Sequence, residues 1–188
     1  MDQLKDITTI INSQSNNLNQ NQQLIMNEVF HHLKSIAKNH KFKFSKNDLN
    51  TTALVNEAWI KLNKSDSVFN DRNHYYAVCS IAMKQILLNE AKKIYNSKIH
   101  INIEDELLPE TANEAHWFLE LERQMQQLQN YSSRLEQIFI YRYFGGMKVN
   151  EIAELMQLSP RTVDREWKKA KLMISVAMQD LKIKYSNE

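Results

Sequence analysis

An all-α fold is predicted by three observations. Only 2 glycines and 2 prolines occur in 188 residues, so most of the turn chemistry that sheets and barrels draw on is missing. Hydrophobic residues, 43% of the chain, suffice to bury a core, and they recur at spacings of three and four rather than two. The two glycines are adjacent, Gly145-Gly146, and Pro160 directly follows Ser159. Both residue types therefore stand where helices end and begin.

The length allows one ordinary domain or two small ones. Lys plus Arg at 24 against Asp plus Glu at 22 leaves a formal charge of +2, too small to imply a polyanionic partner, so the distribution of charge carries the argument. The single cysteine, Cys79, has no partner for an internal disulfide. No apolar run approaches the roughly 20 residues needed to cross a bilayer, and Met1-Asp2-Gln3-Leu4-Lys5-Asp6 is not a signal peptide. A reduced, soluble, cytoplasmic protein with no membrane span is expected.

Residues 1–23 form an expected mobile polar leader, because 12–23 are nearly all Asn, Gln and Ser around Leu18. A first domain is placed at 24–96. Its first helix, 24–40, carries Ile25, Val29, Leu33, Ile36 and Ala37 on one face. After the break at 41–50, Thr51-Thr52 offer an N-cap to a second helix with Val55, Ala58, Trp59 and Leu62 inward. A polar loop at 63–74 precedes a third helix, 75–95, with Val78, Ile81, Ala82 and Leu88 inward.

An acidic linker is placed at 97–117. Between His100 and Arg123 seven acids, Glu104, Asp105, Glu106, Glu110, Glu114, Glu120 and Glu122, face Arg123 as the one fixed cation, and Pro109 interrupts the segment. The second domain, 118–183, reads as helices at 118–129, 134–144, 148–156 and 160 to about 182. In the last of these, Val163, Trp167, Ala170, Ile174, Ala177 and Leu181 form a regular buried seam.

The sharpest functional signal lies at 149–165. A short helix with small Ala153 at a crossing point, a turn of about three residues, and a helix capped by Ser159 form a helix-turn-helix pattern. Ile152, Met156, Leu158 and Val163 are expected to fill the wedge. The turn wants a left-handed residue at Gln157, which costs about 1 kcal/mol for a side chain bearing a Cβ. Ser159, Arg161, Thr162, Arg165, Lys168 and Lys169 then face outward as groove and phosphate donors. Between Ser159 and Lys184 seven cations oppose three acids, so the surplus charge sits on the outward side. The alternative reading of these residues is a helical hairpin with a basic exposed face.

The third helix of the first domain is a second candidate. Tyr75 and Tyr76 stand at its start, and Lys84, Gln85, Asn89, Lys92 and Lys93 on its polar side. Rings beside cations and amides suit single strands and opened bases, but the same pattern also describes a core rim and a solvated face. Enzyme chemistry is not indicated. The six histidines form no HExxH, and there is no phosphate-binding glycine loop and no nucleophile elbow. No metal and no cofactor are expected.

Thr52-Ala53-Leu54-Val55-Asn56-Glu57-Ala58-Trp59-Ile60-Lys61-Leu62, then residues 75–83, then Tyr143-Phe144-Gly145-Gly146-Met147 and the helix-turn-helix together resemble a bacterial RNA polymerase sigma factor. The likeness is to the extracytoplasmic-function (ECF) group of the sigma-70 family, and within it to the subgroup with a "TALVHEA" box and an "RFFGG" box. It covers about residues 24–181.

The resemblance implies a region 2-like bundle and a region 4-like helix-turn-helix domain. It implies core polymerase as partner, contacted at the clamp helices of the largest subunit by Asn56, Glu57 and Lys61. It implies a −10 element read by Asn70, Arg72, Asn73 and His74 in a base-capturing loop and by Lys84, Gln85, Asn89, Lys92 and Lys93. It further implies a −35 duplex read by the basic helix of the second domain, and it leaves room for an anti-sigma factor. A dimeric helix-turn-helix regulator acting alone and a helical adaptor without DNA affinity are the competing classes; co-purification with core polymerase separates them from the sigma factor.

Overall fold

The computed structural model describes the backbone of residues 71–99 and 110–185 and the side-chain surroundings of 71–97 and 113–179. The leader, the first two expected helices, and Asn56, Glu57, Lys61 and Asn70 lie outside the described residues. Within them the chain is entirely helical, in line with the expected class. The elements are α1 (Arg72–Ile99), α2 (Glu110–Tyr131), α3 (Ser133–Tyr143), α4 (Val149–Met156) and α5 (Pro160–Tyr185).

Helix α1 packs mainly along α2 and also reaches α3 and α4, while α5 lies across α2, α3 and α4. One continuous buried cluster results, running from Tyr75, Met83 and Ala91 through Phe118, Leu121 and Met125 to Ile138, Phe144, Ile152, Val163 and Ala170. Phe144 ties the layers together, edge-on to Phe118 at 6.0 Å and to Tyr143 at 5.0 Å.

The inward face of α1 differs from the expected one. Ile81 is 47% exposed, and Val78 and Ala82 are half-buried, whereas Tyr75, Tyr76, Cys79, Met83, Ile86 and Leu87 are buried together with Leu88. A helix touching three neighbours buries more than one narrow stripe, so a single-face reading picks the wrong edge. The Cys79 thiol is pushed up to about 12 by burial, and the Tyr75 hydroxyl is also raised, by burial first and then by Cys79.

Helix α2 begins at Glu110, so residues 110–117, placed in the linker by the sequence, are helical. Glu110-Thr111-Ala112-Asn113-Glu114-Ala115 contains good helix formers, and carboxylates near a helix start are favoured by the macrodipole. Pro109 precedes this helix rather than interrupting it, and Ala115 is fully buried.

Helix α3 is capped by Ser132, whose hydroxyl accepts from the Leu135 N–H. Past its end, Gly146 takes the left-handed conformation expected of the glycine pair, with φ 60°. Gly145 serves a different purpose: a Cβ there would collide with the Ser80 hydroxyl of α1 and lie 2.7 Å from the Tyr141 carbonyl oxygen. Glycine at this position is what lets α1 approach the end of α3.

Candidate nucleic-acid interface

The corner between α4 and α5 is built as the sequence predicts. Gln157 is left-handed, with φ 54° and ψ 43°, and its N–H closes back on the Ala153 and Glu154 carbonyls. Helix α4 opens with the Glu151 carboxylate accepting from the Lys148 N–H at 2.7 Å, one half of a capping box. Helix α5 opens with the Ser159 hydroxyl accepting from the Thr162 N–H at 3.1 Å and bonded to the Thr162 hydroxyl at 2.8 Å. Ile152 and Val163 are fully buried in the wedge, with Met156 and Leu158 half-buried against it.

Along α5 the seam holds as far as Ala177: Val163, Ala170 and Ile174 are buried, and Trp167 and Ala177 half-buried, while the side chain of Leu181 lies outside the described residues. The opposite side carries Arg161, Arg165, Lys168 and Lys169, all exposed. Lys168 leans on Asp164 at 2.7 Å, an exposed i,i+4 pair that water and salt weaken. Lys169 donates to the Tyr131 hydroxyl at 2.8 Å and sits 4.6 Å from its ring centroid. The structure thus gathers Ser159, Arg161, Thr162, Arg165, Lys168 and Lys169 on one element.

Three further residues join this surface that the sequence reading did not single out: Tyr131, Arg134 and Glu166. Glu166 is only 6% exposed. Its carboxylate accepts from Arg134 Nε at 2.8 Å and Nη2 at 2.5 Å, and Arg165 Nη2 approaches to 3.9 Å. The hydrogen bonds it donates to Glu166, and then the charge of that carboxylate, hold Arg134 still more firmly in its charged form. A signal for Glu166 was present, since it lies three residues after Val163 and four before Ala170 and so turns partly toward the seam.

The residues assigned to the first domain's polar side are arranged differently. The Lys84 ammonium, with its side chain 13% exposed, lies 3.2 Å from Glu122 of α2 and 3.9 Å from Glu136 of α3. Burial raises the Glu136 carboxyl above its ordinary value; Lys84 pulls it back down and Glu122 pushes it up. Asn73 donates to Glu154 of α4 at 3.1 Å. Arg72 donates to the Tyr76 hydroxyl at 3.2 Å, and the His74 N–H is held by Asp71 at 2.8 Å.

Gln85 and Asn89 are exposed and bonded to each other at 2.9 Å. Lys92 and Lys93 are exposed, Lys93 lying 4.0 Å from Glu90. Tyr75 and Tyr76 are buried and offer no stacking platform. Rings that head an amphipathic helix are drawn into the core when a second layer covers them.

A basic helix outside a helix-turn-helix corner fits many DNA-binding proteins, and the corner alone does not choose among them. The family model described as "ECF sigma factor" matches residues 4–180. The chain belongs to the ECF sigma factor family. Neither the curated proteins nor the solved structures yield a match.

An ECF sigma factor directs transcription initiation, and it does so as a partner of RNA polymerase and promoter DNA rather than as an enzyme in its own right. Among the described residues of this sigma factor no helix is long and apolar enough to cross a membrane, and no group of His, Cys, Asp and Glu is arranged to hold a metal ion.

Proposed function

We propose that this sigma factor binds core polymerase and selects promoters by reading a −35 element as duplex with α5 and a −10 element with its first domain. The observation that carries the proposal is the exposed row of Arg161, Arg165, Lys168 and Lys169, opposite the seam through Val163, Ala170 and Ile174 and set by the left-handed corner at Gln157. A helix anchored on one side and cationic on the other suits the major groove and its flanking phosphates.

In this reading residues 24–96 serve polymerase and the −10 element, 97–117 connect, and 118–183 serve the −35 element. Asn56, Glu57 and Lys61 dock on the clamp helices of the largest subunit. Asn70, Arg72, Asn73, His74, Lys84, Gln85, Asn89, Lys92 and Lys93 take the −10 DNA. Lys84 reaches DNA only after leaving Glu122 and Glu136, and Asn73 only after giving up its bond to Glu154. The "TALV" and glycine-pair boxes favour the "TALVHEA" subgroup, and an anti-sigma factor is a further partner of this reading.

Run-off transcription with core polymerase over a pool of promoters tests the proposal. Promoter-specific transcripts that depend on this chain are expected. Replacing Arg161 or Arg165 with Ala should lose about 1 to 3 kcal/mol of promoter binding and relax preference at one −35 position if that arginine reads a base. Specific operator binding by a dimer without polymerase would instead establish the stand-alone regulator.

A further inference from the structure

Glu166 is a nearly buried acid on a helix whose outward side is cationic. A buried carboxylate persists only when its oxygens are satisfied. Here Oε2 accepts from Arg134 Nε, while Oε1 accepts from Arg134 Nη2 and faces Arg165 Nη2 at 3.9 Å. The two guanidinium groups therefore converge on one oxygen from different helices. Their side chains stay 52% and 76% exposed, so the acid holds Arg134 by two hydrogen bonds, draws Arg165 only at ion-pair range, and leaves the outer N–H groups of both to solvent. One carboxylate against two guanidinium groups leaves a net positive charge.

Arg134 is the second residue of α3, where the helix dipole disfavours a cation. Nothing in α3 accounts for an arginine there; the pair with Glu166 does.

We propose that Glu166 is a positioning residue that holds Arg134 of α3 beside Arg165 of α5 as a two-arginine clamp for one DNA-backbone phosphate. The inference rests on the duplex reading of α5 and extends the contact surface beyond that helix. A recognition helix in the major groove needs a neighbour on the flanking backbone, and the planar fork of Arg suits phosphate oxygens better than a point charge does. One helical turn beyond Arg165, Lys169 is joined to Tyr131 at the end of α2, so the strip of donors continues along the α2–α3 corner.

The test is equilibrium binding of the full-length chain, alone and assembled with core polymerase, to a pool of random-sequence duplex DNA, followed by fluorescence anisotropy across a salt series. Arg134→Ala should lower the slope of log affinity against log salt by about one phosphate contact. Glu166→Gln should do the same although it removes no cation, and the double variant should show no further loss. Arg134→Lys should restore most of the slope. Thermal melts of each variant report folding separately.

An unchanged slope in Arg134→Ala, alongside a normal response to Arg165→Ala and Lys168→Ala, overturns the clamp and leaves the duplex reading standing. An unchanged slope with a lowered melting temperature likewise overturns it, because the pair then only braces α3 against α5. Absence of salt-dependent binding beyond that of core polymerase itself, by the unaltered chain both alone and assembled with core polymerase, overturns both readings together.

Discussion

Helices α1 and α5 each carry a polar side rich in cations and amides, yet the structure uses them in opposite ways. In α5, Arg161, Arg165, Lys168 and Lys169 remain exposed, and their contacts are with neighbours that leave them open to solvent. In α1, Lys84 points into the fold, between Glu122 and Glu136, and Asn73 is joined to Glu154. A cation on an amphipathic helix is thus not by itself a nucleic-acid donor. What decides is whether the pairing buries the cation: the Lys84 side chain is 13% exposed beside its carboxylates, whereas that of Arg134, also paired with an acid of another helix, is 52% exposed.

The strongest way to break this comparison is Lys84→Ala. It leaves Glu122 and Glu136 facing each other without their shared cation, and unfolding in urea should show a loss of about 2 to 3 kcal/mol. Arg161→Ala, on the open side of α5, should stay within about 0.5 kcal/mol of the unaltered chain in the same measurement. Equal losses for the two would mean that the contrast between them is not energetic.

Gly145→Ala addresses the close approach on which the α1 contact depends. The added Cβ meets Ser80 and the Tyr141 carbonyl, and overpacking of this kind costs about 1 to 3 kcal/mol. The double variant Ser80→Gly, Gly145→Ala should recover part of that loss, since the hydroxyl can be removed while the carbonyl cannot. No recovery would place the whole strain in the α3 backbone.

A smaller effect is expected from pH. The Glu136 carboxyl is raised in the folded chain, so between its ordinary value and the raised one the folded state binds a proton that the unfolded chain does not. Its contribution to stability therefore grows as pH falls through the folded value and is lost as pH rises through it. Comparing the urea midpoints of the unaltered chain and Glu136→Gln from neutral to mildly acidic pH isolates this dependence. A difference that does not move with pH would rule it out.

The smallest change expected is at the corner beside α5. Gln157→Gly removes a left-handed side chain at a cost in unfolded-state entropy, so a net gain of at most about 1 kcal/mol is expected. Promoter preference should not move.

What the sequence made legible is mostly local. The Gln157 turn, the Ser159 cap, the Gly146 ending and the seam through Val163, Ala170 and Ile174 depend on residues within a turn or two of each other, and each is where the spacing placed it. The commitment of Lys84 was not legible, because its partners lie 38 and 52 positions onward in helices whose register no short window contains. Counting the acids from His100 to Arg123 together gave no notice that Glu122, expected on the helix at 118–129, turns toward Lys84.

Ile81 misled for a related reason: one stripe was assumed where three neighbours bury a wider arc. Arg134 and Glu166 form the same sort of long-range pair, and only the acid's place near the seam gave notice of it.

The lone thiol of Cys79 has a further consequence. Alkylating reagents attack the thiolate, and this thiol is both buried and pushed up to about 12. Under native conditions its labelling must wait for α1 to lift away. In the limit of fast reclosing, the observed rate divided by that of an unprotected thiol is the fraction of time spent open. The chain therefore carries, at one atom and with no competing cysteine in its sequence, a stopwatch for the excursions of α1, readable by mass alone with and without polymerase present.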